Sequence, residues 1–246
     1  MTAPDSARRR VALVTGASRG LGATVARFLA LEGFELLLTS RSPGPLGQVE
    51  AELRSLGKPV TVLAGAVEDP THRRALARRV ESMGRLDLLV NNASELGASP
   101  LPSLLTTPLD SFRRVLDVNV LAPLALVQEL VEPLSRSGGL VVNVSSDAAL
   151  GGYPGWGAYG ASKAALDLLS KTLAGELEAR HVAVVSVDPG DMRTAMHQAA
   201  FPGEDISDRP DPRVTLPFWA WLLERRHEEV TGHRFQAQGE RWEVSA

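Results

Sequence analysis

The chain contains no cysteine, which removes disulfides, thiolate catalysis and cysteine-ligated metals together. Nor does it carry an excess of basic residues. A net charge of -3 gives no electrostatic footprint for DNA or RNA, so no nucleic-acid partner is expected. Arg8-Arg9-Arg10 is the one basic block near an end and reads as a solvated flank. The five histidines (His72, His181, His197, His227 and His233) are scattered without ligand spacing, so no metal is expected. No apolar run reaches the roughly 18 residues of a membrane span, and MTAPDSARRR has no apolar signal-peptide core. These absences predict a cytoplasmic protein with no membrane partner.

What is present is an ordinary globular composition, 44% hydrophobic and 22% charged over 246 residues. Short apolar runs alternate with helical patterns: VALVT (11–15), ELLLT (35–39), VTVLA (60–64), LDLLVN (86–91), LVVNVS (140–145) and VAVVSV (182–187). Runs this short and this apolar suit strands covered on both faces of a parallel sheet. Leu46, Val49, Leu53 and Leu56 recur at helical spacing until Gly57 and Pro59 stop the pattern. Asp69-Pro70 and Thr107-Pro108 each set a capping residue before a proline at a first helical position. Pro123 lies inside a helical pattern over 109–133 and predicts a kink there. The alternation predicts a doubly wound α/β sheet in one domain over 1–246, without internal repeats. Residues 1–8 read as a frayed tail, and 202–213, PGEDISDRPDPR, as a functional loop or a plain linker.

Residues 14–22, VTGASRGLG, parse in two ways. Gly16-Ala17-Ser18-Arg19-Gly20 has the G-x-S-x-G form of a nucleophile elbow. Gly16, Gly20 and Gly22 instead make a glycine-rich turn that admits phosphates to the backbone. Location decides between them. An elbow follows a central strand and draws oxyanion donors from an upstream loop, and only ten residues precede this first strand. The turn leaves a first strand and opens a first helix, where free N–H groups and the helix dipole favour a pyrophosphate.

Downstream, Tyr159 and Lys163 stand one helical turn apart in YGASKAALDLL. Residues at i and i+4 share a helix face, so the ammonium is expected beside the phenol, lowering its pKa toward the range of an acid/base catalyst. Ser146 directly follows the run LVVNVS, and ligands of open α/β sheets bind beyond the carboxyl ends of strands. Asn91-Asn92-Ala93 and Pro189-Gly190 end two other strands at the same rim, and Asn119 lies in DVNV.

With these residues assembled, the chain resembles the short-chain dehydrogenases/reductases from Val11 to about Gln236. The matching motifs are T-G-x-x-x-G-x-G at 15–22, N-N-A at 91–93, Asn119, Ser146, Tyr159-x-x-x-Lys163 and P-G-x-x-x-T at 189–194. The resemblance implies a single-domain Rossmann fold with about seven parallel strands and helices on both faces. It implies an oxidoreductase that interconverts a ketone or aldehyde and an alcohol. Tyr159 would exchange the proton, Ser146 would hold the reacting oxygen, and Lys163 would tune the tyrosine and bind the nicotinamide ribose. Asn119 would anchor a water that relays protons through the lysine. Gly16, Ser18, Arg19, Gly20, Leu21, Gly22, Arg41, Val67, Asn92, Ala93, Pro189, Gly190, Met192 and Thr194 would bind the cofactor together with Tyr159 and Lys163. It further implies a homodimer or homotetramer, with contact faces on helices 109–133 and 157–180. A substrate lid over 195–225 follows from the same source, and it favours the loop reading of 202–213. Tyr153 and Ser145 read as structural. A non-catalytic NADP-binding scaffold of the same fold is the rival reading.

Ser40-Arg41, at the end of the second strand, together with Arg19 and no acid nearby, predicts NADP(H) over NAD(H). Four positions depart from the family pattern. Ala66 stands where an Asp commonly meets adenine, and Ser94 where glycine follows N-N-A. Asp188 and Asp191 flank Pro189-Gly190, either to recognise a cationic or polyhydroxylated substrate or to cap a helix. Met196, His197 and Phe201 are candidate pocket residues, whereas Trp219 and Trp221 read as packing on an amphipathic helix.

Overall fold

A computed structural model describes residues 9–242, so the expected tail at 1–8 lies outside the described residues. Seven strands form one parallel sheet: β1 (Val11–Thr15), β2 (Glu35–Ser40), β3 (Val60–Ala64), β4 (Leu88–Asn91), β5 (Leu140–Val144), β6 (Ala183–Asp188) and β7 (Arg234–Gln236). Their order is β3-β2-β1-β4-β5-β6-β7, so the sheet grows outward in both directions from β1 and β4. The switch between those two strands opens a crevice at their carboxyl ends.

The strands are apolar without alternation because both faces are covered. Ala12, Val14, Leu36, Leu38, Val142 and Val185 face one layer, built from α1 (Gly20–Leu31), α2 (Pro43–Ser55) and α8 (Leu216–Leu223). Val11, Leu13, Leu37, Leu89, Val141 and Val184 face the other. That second layer is built from α3 (Pro70–Met83), α5 (Ala122–Ser137) and α6 (Gly157–Glu176). This is a Rossmann-like doubly wound fold.

Three local expectations change. The helix over 109–133 is two helices, α4 (Leu109–Leu116) and α5, joined by a π-turn at Asp117–Leu121. Pro123 sits in the first turn of α5, where a missing N–H does no harm, and Pro133 is the proline inside the helix. Asp69 caps α3 by accepting from Thr71 N, but α4 begins one residue late, with Pro108 rather than Thr107 at its N-cap. The seventh strand, RFQ, is too short to announce itself in the sequence and is held by its pairing with β6. In 202–213, Asp211 caps a 3-10 turn at Pro212–Thr215, and Arg193 N donates to Pro210 O, tying the segment to the crevice rim.

Candidate active site

The crevice is a cleft of about 360 Å³ across the carboxyl ends of the central strands. Gly16, Ser18, Arg19, Gly20, Leu21, Gly22, Arg41, Val67, Asn92 and Ala93 line it toward β2 and β3, and Tyr159, Lys163, Pro189, Met192 and Thr194 toward β5 and β6. Gly190 is absent from the lining, where its positive φ of 73° instead admits the Gln238 side chain.

The glycine turn is built for close approach. Gly16 and Gly20 have φ of 66° and 55°. A Cβ on Gly22 would collide with the Asn92 amide and the Gly16 carbonyl, so no larger residue fits. Asn92 Nδ2 donates to Thr15 O (2.9 Å) and Gly16 O (3.2 Å), and Thr15 Oγ1 accepts from Asn92 N and Ala93 N. The N-N-A segment thereby locks the turn. No side chain caps α1 and no acid occupies its first turn, so its N–H groups face the cleft without a competing anion.

At the other end the tyrosine and lysine sit on the buried face of α6, where helical spacing puts them together. Lys163 Nζ lies 5.5 Å from the Tyr159 ring centroid and donates to Val144 O at 2.7 Å. The expected fall in the tyrosine pKa does not occur in this structure. Burial dominates and pushes Tyr159 up to about 12, with Ser94 and Ser146 acting the other way. Burial also lowers Lys163 to about 8, with Asp167 acting the other way. Ser146 Oγ donates to Asp147 Oδ1 (2.9 Å) and accepts from Ala148 N (3.1 Å).

Asn119 stands in the π-turn, fully occupied. Its Oδ1 accepts from Ser94 Oγ (3.2 Å) and Glu95 N (2.7 Å), while Nδ2 donates to Glu95 O and Ser162 Oγ, each at 2.9 Å. Its side chain pins the segment after N-N-A to α6. Ser94, the departure from glycine, thus adds a hydroxyl that donates to Asn119.

Cleft, glycine turn and tyrosine–lysine helix carry a family signature that the comparisons match. Residues 10–205 fit the family profile described as short chain dehydrogenase. The chain belongs to the short chain dehydrogenase family. It is similar to the short-chain dehydrogenase/reductase FrzI of Cladobotryum sp., 34% identical over 97% of this chain and 98% of that one. A Shigella flexneri chain solved in complex with NADP superposes with a TM-score of 0.87, at 32% identity over 94% of this chain and 98% of that one. An NAD+-bound xylitol dehydrogenase superposes at 0.82 with 26% identity, over 93% and 97% of the two chains. Neighbours of one fold therefore hold either dinucleotide.

Within this short chain dehydrogenase, the acidic pair at Pro189-Gly190 divides. Asp188 is buried, accepting from Gly190 N and from Arg234 Nη2 at 3.1 Å, so it is not available to a substrate. Arg234 also donates to Asp167 Oδ2 (3.0 Å) and to Ser146 O (2.9 Å). Asp191 is exposed at the rim near His197 and Arg209 (3.7 and 3.8 Å). Met196 lines the cleft beside Leu96, Met192 and Ala199, while Phe201 packs on Trp156, and Trp156 on Tyr159. Trp219 is core, and Trp221 stacks among Phe218, Phe235 and Trp242.

The premise of no acid near Arg41 is overturned, since Arg41 Nη1 meets Glu95 Oε2 at 3.0 Å. Glu95 and Arg234 are the residues that sequence reading missed. Glu95 follows N-N-A by only two positions and carried a readable signal, whereas nothing in RFQ pointed to Arg234.

Proposed function

We propose that this chain is an NADPH-linked oxidoreductase that interconverts a ketone or aldehyde and an alcohol. The observation that carries this reading is that Tyr159 and Lys163, neighbours on α6, line the same cleft as the glycine turn. The glycine turn fits a dinucleotide, because Gly16, Gly20 and Gly22 line the cleft without side chains beside an open helix N-terminus. When bound, the nicotinamide supplies hydride exchange at carbon. The protein's part is to hold the reacting oxygen and move its proton. Tyr159 donates its phenolic proton to the carbonyl oxygen, Ser146 hydrogen-bonds that oxygen, and Lys163 supplies positive charge next to both. The buried phenol, pushed up to about 12, is protonated at neutral pH and so able to serve as the acid.

Leu96, Met192, Met196 and Ala199 give the substrate end an apolar wall, which suits an uncharged, apolar carbonyl compound. We take 195–225 as its lid, since Ala195, Met196 and Ala199 line the cleft and 202–213 is tied to its rim. NADP(H) is expected over NAD(H) because Arg19 and Arg41 both face the cleft at its β2 side. Titration with NADPH and NADH, followed by tryptophan fluorescence, should give NADPH at least tenfold tighter, about 1.4 kcal/mol. Equal affinities would remove the NADP assignment, and binding of neither would remove the oxidoreductase reading.

The exposed Leu109 and Leu121 at the ends of α4 and its π-turn, with Leu168 on α6, offer an apolar face for a second copy of the chain. Sedimentation should show a dimer or tetramer, and a 26.3 kDa species at micromolar concentration would overturn this.

A further inference from the structure

Glu95 joins two arginines. Its carboxylate lies 3.0 Å from Arg41, which follows β2, and 3.6 Å from Arg114 on α4. Because β2 and β4 flank β1, the Arg41–Glu95 pair reaches past the end of β1, where the glycine turn lies. That reach covers two strand spacings, roughly 10 Å. Both residues line the cleft. Glu95 is the fixed partner: its main chain donates to and accepts from the Asn119 side chain, and its own side chain is only 18% exposed. Arg41, 48% exposed, is the more solvent-accessible partner.

We propose that Glu95 moderates the preference for NADP(H) as the resident counter-ion of Arg41, which the 2′-phosphate of NADP(H) displaces. The inference rests on the NADP reading above. Carboxylate and phosphate compete for the same guanidinium fork, and the phosphate brings more charge and more acceptor oxygens. A half-exposed pair is weakly held, so the exchange is easy. Arg114 makes it easier still. When Arg41 leaves, Glu95 keeps a guanidinium within 3.6 Å and is not stranded as a lone charge. The plain ribose of NADH offers Arg41 no such replacement.

The test is a double-mutant cycle on coenzyme binding, read by fluorescence or calorimetry without any substrate. Glu95→Gln keeps the size of the side chain and the main-chain bonds to Asn119, and a thermal midpoint within a few degrees of the parent controls for folding. NADPH should bind about three- to fivefold tighter to Glu95→Gln, with NADH changed by less than 1.5-fold. In an Arg41→Ala background the same substitution should change neither. Equal tightening of both coenzymes would show a general charge effect and overturn the exchange. So would unchanged or weakened NADPH binding, or an undiminished effect without Arg41. If the parent protein itself fails to prefer NADPH, the NADP reading falls and takes this inference with it; that result is seen in the parent alone, before any variant.

Discussion

Tyr159→Phe is expected to lower kcat for carbonyl reduction by about a thousandfold while leaving NADPH affinity within twofold. General acid–base groups contribute roughly 10²- to 10⁴-fold, and the upper half of that range applies because no second phenol lines the cleft. Tyr153, the only other tyrosine, lies exposed beside Asp147. Phenylalanine keeps the ring edge-on to Trp156 at 5.7 Å, so the packing survives and the chemistry does not. Small apolar aromatic ketones are the first substrates to try, with stopped-flow single turnover reporting the step itself. The pH profile adds a second signature. Lys163 carries its charge below about pH 8 and loses it above, so reduction should hold level to about pH 8 and then decline. Alcohol oxidation needs the phenolate and should rise with pH over the same interval. A scaffold that only binds NADP would show no turnover in the parent protein and nothing to lose.

The second large effect is on stability. Arg234→Met should destabilise the protein by about 3 kcal/mol, the lower end of the range for removing one partner of a buried ion pair. The reason lies in what remains. Asp188 and Asp167 have side chains only 5% and 15% exposed, and Arg234 answers both. Asp167 Oδ1 is already a buried atom without a hydrogen bond. Methionine would fill the volume and leave two carboxylates facing each other near Lys163. Arg234, at 21% exposure, is not fully dry, which keeps the loss from the top of the range. A urea midpoint measures it; a change below about 1 kcal/mol would mean that water enters and screens the cluster. The variant should also lose reductive activity beyond its loss of fold, because the Ser146 carbonyl loses its 2.9 Å donor.

Most of the fold was legible because its signals are local. VALVT and VTVLA form strands at the residues their apolar runs mark, and the Asp69-Pro70 start is made by a side chain acting two residues away. The cleft residues were legible because glycine, asparagine and tyrosine stand at fixed distances along single elements. What escaped depends on partners distant in the chain. The π-turn at Asp117–Leu121 gives no composition signal, since it is a backbone choice that lets Asn119 meet Glu95 and Ser162. Asp188 reads from sequence as either a substrate contact or a helix cap; a strand placed 46 residues later puts Arg234 against it instead. The tyrosine pKa depends on partners in the same way: spacing brings Lys163 close but does not report burial, the largest influence on the phenol.

That 46-residue interval also sets an order of events during synthesis. At about 5–20 residues per second, Arg234 is made roughly two to nine seconds after Asp188. The glycine turn, the tyrosine and the lysine are all polymerised by then, yet the two carboxylates behind them still lack their arginine. The nascent chain can pair its first six strands before the ribosome has made the seventh. The catalytic end of the cleft is therefore completed last, by a three-residue strand whose arginine neutralises charges laid down earlier.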